Sequence, residues 1–152
     1  MSSSHTFQPH VTVAAVAERD GRFLIVREPI HGRMVLNQPA GHVEDGESFI
    51  AAVIRETKEE TRWDFEPQGL VGLYRWRTPD RSRTFIRACF HGPVTGCDEH
   101  AVLDPAIDSV HWLSAQALQQ RRQEHRSPLV PTCLNDYLAG KRYPLDLLTD
   151  LP

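Results

Sequence analysis

Two apolar stretches near the beginning of the chain predict β-strands. Residues 10–17 (HVTVAAVA) combine β-branched and small apolar side chains, which is typical of a buried strand, and residues 22–27 (RFLIVR) repeat the pattern. An Asp-Gly turn signal at positions 20–21 separates them, so the chain is expected to return on itself there. The segment 29–37, which follows the second stretch, is interpreted as a loop.

The hydrophobic pattern takes a helical period after Ser48, which is a predicted N-cap. The predicted packing side of this helix follows the spacing i, i+3, i+4 and i+7. It consists of Ile50, Val53, Ile54 and Thr57. A neighbouring side carries Ala52 and three glutamates. We therefore expect one helix with a core-facing side and a charged side, and glutamates that are not buried against apolar side chains.

Three more strands are predicted further along the chain. Two of them, at residues 69–76 and 84–91, lie on either side of a polar turn, and a short one lies at residues 109–113. The segment 95–104 is interpreted as a loop.

Two further helices are predicted near the end of the chain. Ser114 is expected to cap a helix that runs to about Gln123. Ser127 is expected to cap the next helix, with Pro128 at its first position and Gly140 at its end.

Composition and charge narrow the classes of function. With 152 residues, 40% of them hydrophobic and 24% charged, the chain is expected to form one α/β (α+β) domain over residues 1–152, with a mixed β-sheet between helices. Residues 1–8 are small and polar and are expected to be flexible. The net charge of −3 argues against long nucleic acid as a partner.

The expected location is the cytoplasm. The three cysteines form no CxxC pair, and the chain has neither the apolar core of a signal peptide nor a run long enough to span a membrane. The histidines lack metal-ligand spacing, so no zinc site is predicted. A monomer or a homodimer is expected.

The strongest chemical signal is a group of carboxylates on the first predicted helix. Glu56, Glu59 and Glu60 stand at i, i+3 and i+4, which places them on one face of one turn. Because like charges this close repel, a cation is expected among them, and hard oxygen ligands favour Mg²⁺ or Mn²⁺. Protein-bound Mg²⁺ completes its coordination with water and substrate phosphates. The sequence therefore predicts a magnesium-assisted enzyme that acts on phosphates.

These glutamates belong to a longer spacing, which reads Gly41, five residues, Glu47, seven residues and then RETKEE at 55–60. It resembles the signature of the Nudix hydrolase family. The stretches QPHVTVAAV, LNQPAGHVEDGE, RSPLV and GKRYPLDLL extend the resemblance to the NudJ-like phosphatase subfamily. The resemblance implies a Nudix-type α/β/α sandwich, a Mg²⁺ cofactor with Mn²⁺ as an alternative, and hydrolysis of nucleoside tri- and diphosphates and related pyrophosphates with release of phosphate. Hydroxymethylpyrimidine pyrophosphate is among the implied substrates.

Two departures from the Nudix signature concern helix structure. Thr57 stands where an aliphatic residue is usual, and it can pack in a core if its hydroxyl bonds the preceding turn. Arg62 and Trp63 replace the closing glycine and aliphatic residue, so the helix must end without glycine. Neither departure removes a charged group.

The resemblance also implies roles for individual residues. The three glutamates bind the metal, and the carbonyl of Gly41 is a further ligand because glycine leaves room for close approach. Arg55 is expected to pair with Glu47 or a neighbouring glutamate and to hold the carboxylates in place. Arg55 and the three glutamates are thus the predicted catalytic residues. Glu44 is either an extra ligand or a solvated loop carboxylate.

The proton acceptor for the attacking water is left open. The candidates are the three glutamates and, downstream, Asp104, Asp108 and His111. Asp108 precedes a short predicted strand and could reach over the helix, although a capping or surface aspartate is the more ordinary interpretation.

Four residues are predicted to bind the rest of the substrate. Tyr74 and Trp76 lie on one side of a predicted strand, where they either stack on an organic ring or serve as core aromatics. Arg142 and Tyr143 lie in the last resembling segment, and Arg142 could clamp a phosphate with its planar fork. Weaker candidates of the same kind are Arg87 and Arg126.

Two alternatives remain open at this stage. The enzyme could act on another Nudix substrate, such as ADP-ribose, a dinucleoside polyphosphate, an oxidised nucleotide or a 5′-capped RNA. The domain could instead be a nucleotide-sensing module without catalysis, although the presence of all three glutamates and Arg55 argues against this.

Overall fold

The computed structural model describes residues 5–152, so the first half of the segment 1–8 that is expected to be flexible lies outside the described residues. A mixed sheet of four strands forms the centre: β1 (His10–Val16), β5 (Ala40–His42), β7 (Gly69–Arg77) and β8 (Thr84–His91). The strand order is β5-β1-β8-β7. Strands β1 and β8 are parallel, and the two outer strands run antiparallel to their neighbours.

The remaining strands form two smaller sheets. One sheet is built around β3 (Arg22–Ile30). Three strands pair with β3 in antiparallel orientation, namely β2 (Glu18–Arg19), β4 (Arg33–Asn37) and β10 (Ser109–Ser114). The other contains β6 (Trp63–Phe65) and β9 (Val94–Cys97). The sheet structure is thus divided more finely than the single mixed sheet that the sequence predicts.

Helices cover both faces of the central sheet. They are α1 (Phe49–Thr61), α2 (Ala115–Gln120) and α3 (Leu129–Leu138), with short 3-10 turns at Arg122–Glu124 and Leu145–Leu147. Helix α1 packs on the face that carries Val13 and Ala15, whereas α2 and α3 pack on the face that carries Ala14 and Val16. Because neighbouring strand residues point to opposite faces, one strand supplies both cores. The predicted α/β/α arrangement is confirmed. Within residues 5–152, no helix is both long and apolar enough to cross a membrane.

The predicted loop at residues 29–37 is wrong. Strand β3 continues to Ile30, and β4 begins at Arg33, so the two form a hairpin. The turn between them uses His31 and Gly32, both with positive φ, which is the backbone twist that suits a tight hairpin. The interpretation of residues 95–104 as a loop is wrong at its beginning, because β9 extends to Cys97.

The ends of the helices follow the sequence signals in part. The predicted cap of α3 at Ser127 is wrong by one residue, because Pro128 takes the N-cap position and the helix begins at Leu129. The Ser48 hydroxyl accepts a hydrogen bond from the Ala51 amide at 3.0 Å, as expected for an N-cap. Arg62 ends α1 in the left-handed conformation, with φ at 68°, where the Nudix signature has glycine. Helix α2 ends at Gln120, so the predicted end at Gln123 is wrong by a few residues.

The two sides of α1 differ from the prediction in detail. Ala52 is fully buried in the core, whereas Ile54 of the predicted packing side is 39% exposed. Thr57 is buried as expected, but no hydrogen-bond partner for its hydroxyl lies within the described part of the chain. Thr57 therefore packs in the core although the condition stated for it, a hydrogen bond from its hydroxyl to the preceding turn, is not met among the described residues.

Candidate active site

Two glutamates of α1 face the edge strand β5 of the central sheet. Glu56 and Glu60 lie one helical turn apart, and the Ala40 amide donates a hydrogen bond to Glu60 Oε1 at 2.8 Å. The Glu56 carboxylate packs directly on Gly41, where an added Cβ would stand 2.1 Å from Glu56 Cδ. Glycine is thus required at position 41 by close approach rather than by an unusual backbone conformation.

Arg55 holds the carboxylates by an extended set of hydrogen bonds. Its guanidinium donates to both oxygens of Glu47, at 2.6 and 2.9 Å, and to the carbonyl of His42 at 3.0 Å. It also donates to Glu56 Oε1 at 2.8 Å and to Glu59 Oε2 at 3.2 Å. The structure therefore brings Arg55 and Glu47 together in the arrangement that the sequence predicts.

Glu59 stands apart from the other two glutamates. Its side chain is 49% exposed, whereas that of Glu56 is 13% exposed and Glu60 as a residue is 8% exposed. Across residues 5–152, no three His, Cys, Asp or Glu side chains converge closely enough to hold a metal ion. The helical spacing thus places two carboxylates, Glu56 and Glu60, at the cleft and leaves the third on its outer side. Glu60 is nevertheless buried, with the Ala40 amide as its hydrogen-bond partner.

The pKa values of Glu47, Glu56 and Glu60 are shifted from that of an ordinary glutamate. The hydrogen bond from Arg55 lowers the pKa of Glu47 to about 2. Burial raises the pKa of Glu60 to about 9, and the nearby charges of Glu28 and Glu56 act in the same direction. Burial also raises the pKa of Glu56, although hydrogen bonding from Arg55 opposes the shift. Arg55 is shared by the carboxylates of Glu47, Glu56 and Glu59, and within residues 5–152 no cationic side chain forms an ion pair with Glu60.

The donor set at this edge suits a divalent cation. Glu56, Glu60 and the backbone around Gly41 offer only hard oxygen atoms, which Mg²⁺ and Mn²⁺ prefer. A closed cage of protein ligands is not needed, since Mg²⁺ is usually bound through one or two carboxylates together with water and substrate phosphates. Burial raises the pKa of both carboxyl groups, and a bound cation would oppose this shift because it favours their charged form.

The carboxylates line one wall of a cleft of about 1010 Å³. Trp76 and Phe85 belong to the same cleft and stack on each other with ring centroids 5.7 Å apart. His10 stacks on the other side of Phe85 at 5.0 Å. The volume accommodates a nucleotide-sized ligand, and the exposed aromatic surface offers a place for a planar ring.

Basic side chains line other parts of the cleft. Arg126 forms an ion pair with the buried Glu28, which lies close enough to Glu60 to raise its pKa. Arg87 is itself buried at the centre of the sheet, and Arg33 and Arg83 lie near the cleft entrance. A cleft with a carboxylate wall and several arginines can bind a cation and an anion side by side.

The structure does not bring all predicted substrate residues into this cleft. Trp76 lines the cleft, but Tyr74 lines a separate, more apolar groove and donates a hydrogen bond to Asp136 at 2.8 Å. Tyr143 lines the same groove, and its backbone pairs with that of Leu70. Arg142 lies over the ring of Tyr137 and donates to backbone carbonyls. These placements favour structural contacts for the three residues over contact with a substrate beside Glu56.

The downstream candidates for proton transfer also lie outside the lining of the cleft. Asp108 pairs with Arg27 at 2.9 Å and accepts from the Ser109 hydroxyl, and His111 Nε2 lies 2.7 Å from the same hydroxyl. Asp104 is nearer, because its amide donates to the Glu59 carbonyl and its charge helps to raise the pKa of Glu56 and of Glu60. Glu44 lines the cleft, 3.6 Å from Arg55.

Four residues that line the cleft are not predicted from the sequence, namely Glu28, Arg33, Asn37 and Phe85. Most of them belong to or follow the β3–β4 hairpin, which the sequence analysis interprets as a loop. The short apolar run Met34–Leu36, which directly follows the His-Gly turn signal, could have identified this hairpin.

Comparisons with known proteins identify relatives of this chain. The family model described as NUDIX domain matches residues 6–133. The chain is 39% identical over 144 residues to Phosphatase NudJ of Escherichia coli strain K12, covering 95% of this chain and 93% of the relative. A NUDIX hydrolase from Nitrosomonas europaea is 45% identical, with a TM-score of 0.92 and coverage of 95% of this chain and 98% of that one.

A more distant structure shares the fold alone. It is a bifunctional NMN adenylyltransferase/ADP ribose pyrophosphatase from Francisella tularensis, complexed with AMP and a Mn ion. Its sequence identity is 19% and its TM-score 0.61, and the match covers 88% of this chain and 42% of that one.

Proposed function

The chain belongs to the Nudix hydrolase family, and we propose that it is a Mg²⁺-dependent phosphatase that releases orthophosphate from nucleoside tri- and diphosphates and related pyrophosphates. Hydroxymethylpyrimidine pyrophosphate is included in this substrate class. The similarity to Phosphatase NudJ over nearly the whole chain supports release of phosphate rather than of a nucleotide fragment.

The observation that carries the proposal is a pair of buried carboxyl groups at the cleft wall, whose charged form a divalent cation would stabilise. Glu56 and Glu60 face a nucleotide-sized cleft, and burial raises the pKa of both carboxyl groups. We assign the metal to these two glutamates and the carbonyl of Gly41, with Glu59 contributing from the exposed side. The bound cation supplies neutralisation of phosphate oxygens and a lowered pKa for the attacking water.

The residues of the chain then have separate tasks. Arg55 fixes Glu56 and the neighbouring carboxylates, so that their oxygens are positioned before substrate arrives. Trp76, which lines the cleft and is only partly buried, receives the organic ring of the substrate. The proposed proton acceptor is a carboxylate of the cleft lining, which includes Glu44 beside the two assigned metal ligands.

The test is a phosphate-release assay on a panel of nucleotides and pyrophosphates. Purified protein is incubated with Mg²⁺, with Mn²⁺ or with a chelator, and the products are separated by anion-exchange chromatography. We expect metal-dependent orthophosphate from di- and triphosphates. Mononucleotide together with pyrophosphate, or turnover of ADP-ribose or a dinucleoside polyphosphate alone, would identify another Nudix activity. No turnover of any member of the panel would favour a sensing module.

A further inference from the structure

Arg87 lies at the floor of the cleft, in the middle of the central sheet. It is the partner of Thr12 across the parallel β1–β8 pairing, and only 5% of its surface is exposed. Nη1 donates to Gln38 Oε1 at 3.1 Å, and Nη2 donates to Asn37 Oδ1 at 3.3 Å. Nε has no hydrogen-bond partner among the described residues. The guanidinium is therefore held by neutral amide oxygens.

No carboxylate forms an ion pair with Arg87 within residues 5–152. The thiol of Cys133 lies 3.9 Å from Nη1, and hydrogen bonding with Cys89, followed by the charge of Arg87, lowers its pKa. A thiol is a weak acceptor compared with a carboxylate. Buried charges in proteins are ordinarily paired, because an unpaired one has a large desolvation cost. Arg87 is thus a buried cation that lacks an anion of comparable strength.

The amides around Arg87 are fixed before any ligand binds. Gln38 Nε2 donates to the carbonyl of Val130 at 2.9 Å, which turns its oxygen towards Arg87. Asn37 and Gln38 are both buried, so neither amide is free to rotate into solvent. Such an arrangement holds the guanidinium plane in place and lowers the ordering cost of binding an anion.

We propose that Arg87 is a substrate-binding residue that receives a phosphoryl group at the cleft floor. The group is the terminal phosphate of the substrate or the orthophosphate released from it. A neutral base would form hydrogen bonds with the guanidinium but would leave its charge uncompensated, so an anion is the better match. The identity of the ligand rests on the proposed function, whereas the requirement for an anion rests on the burial and partners of Arg87.

Binding of inorganic phosphate to metal-free protein tests the proposal directly. Isothermal titration in the presence of a chelator compares the wild type with Arg87→Met and Arg87→Lys. Loss of a charged hydrogen-bond partner is expected to weaken phosphate binding by about tenfold to a hundredfold in Arg87→Met, with Arg87→Lys between the two. Arg75→Met is the matched control, because Arg75 is exposed on β7 and does not line the cleft. Equal affinity in wild type and Arg87→Met would overturn the proposal, as would loss of binding in Arg75→Met alone.

Asn37→Asp keeps the proposal testable even if Arg87→Met does not fold. The new carboxylate would stand about where Asn37 Oδ1 now accepts from Nη2 and would supply the missing counter-charge. We expect a melting temperature that is unchanged or higher together with phosphate binding at least about tenfold weaker. A folded Asn37→Asp variant with wild-type phosphate affinity would contradict the inference.

Steady-state kinetics separate the two sources of the anion. If Arg87 binds the terminal phosphate of the substrate, Arg87→Lys raises KM for ADP and ATP by a similar factor. If it binds only the released product, inhibition by inorganic phosphate weakens while KM stays the same. Because phosphate titration needs neither metal nor turnover, an inactive protein that still binds phosphate through Arg87 would refute the proposed function and leave this inference intact.

Discussion

Two arginines of this molecule, Arg55 and Arg87, stand in opposite electrostatic surroundings. Arg55 donates to three carboxylates, those of Glu47, Glu56 and Glu59, and its charge is more than compensated. Arg87 is more deeply buried and donates to two neutral amides. The first region therefore carries an excess of negative charge, and the second carries an excess of positive charge.

The opposite charges of these two regions explain why acidic and basic side chains line the same cleft. A metal ion and a phosphate are bound together in phosphate hydrolysis, and each needs the opposite charge from the protein. The wall at Glu56 and Glu60 suits the cation, and the floor at Arg87 suits the anion. Neither region is neutral by itself, so ligand binding should affect both stability and activity.

The largest effect is expected from removing charge at the cleft wall. Glu56→Gln and Glu60→Gln should each lower phosphate release by about a hundredfold or more, because each removes a proposed metal ligand. Glu59→Gln should have a smaller effect, about tenfold, since its half-exposed side chain lies outside the cleft lining. Glu66→Gln, an exposed glutamate beyond α1, is the control. Equal losses in all three helix variants would show that the difference in burial has no functional meaning.

The next effect concerns the close approach between Gly41 and Glu56. An alanine Cβ at position 41 would stand 2.1 Å from Glu56 Cδ, so the carboxylate must move. We expect Gly41→Ala to lower phosphate release by about tenfold to a hundredfold with the fold retained, as monitored by circular dichroism. Gly96→Ala is a matched control, because its Cβ would meet nothing closer than Asp64 Oδ2 at 3.7 Å. Full activity in Gly41→Ala would contradict the proposed geometry of the wall.

A third prediction uses the pKa of Glu60, which burial raises from 4.5 to about 9. Because the folded protein binds this proton more tightly than the unfolded chain does, stability falls as pH rises between these values. The slope from this group is at most about 1.4 kcal/mol per pH unit. Urea unfolding of metal-free protein at pH 5, 7 and 9 should show this decline in the wild type and a smaller one in Glu60→Gln. Saturating Mn²⁺ should reduce the decline in the wild type, and an identical pH profile in the variant would exclude Glu60 as its source.

The sequence predicts the cleft wall better than the cleft floor for a physical reason. The wall is built from one helix and a nearby glycine, so helical geometry alone relates Arg55, Glu56 and Glu60. Even there, the spacing does not reveal that Glu60 is buried and Glu59 is not, because that depends on the backbone of β5.

The floor, in contrast, joins residues that are distant in sequence. Arg87 meets Gln38 across 49 positions and Asn37 across 50. These contacts depend on the β3–β4 hairpin, which lies in the segment 29–37 that was predicted to be a loop, and on the parallel register of β1 with β8. The spacing of apolar residues along the chain does not show which distant strands pair with each other. Likewise, Tyr74 and Trp76 share a strand face, but α3 covers one and leaves the other in the cleft.

The smallest effect comes from Thr57, which provides a contrast to Arg87. Thr57 Oγ1 and Arg87 Nε are both buried without a hydrogen-bond partner in the described part of the chain. Thr57 is fully buried on the core side of α1, where no ligand can reach it. Its unpaired hydroxyl therefore only lowers the stability of the folded protein. Thr57→Val should raise the free energy of unfolding by about 1 kcal/mol, as measured in urea, and leave phosphate release unchanged. A loss of stability in Thr57→Val would mean that this hydroxyl has a partner, and the two unpaired atoms would no longer be comparable.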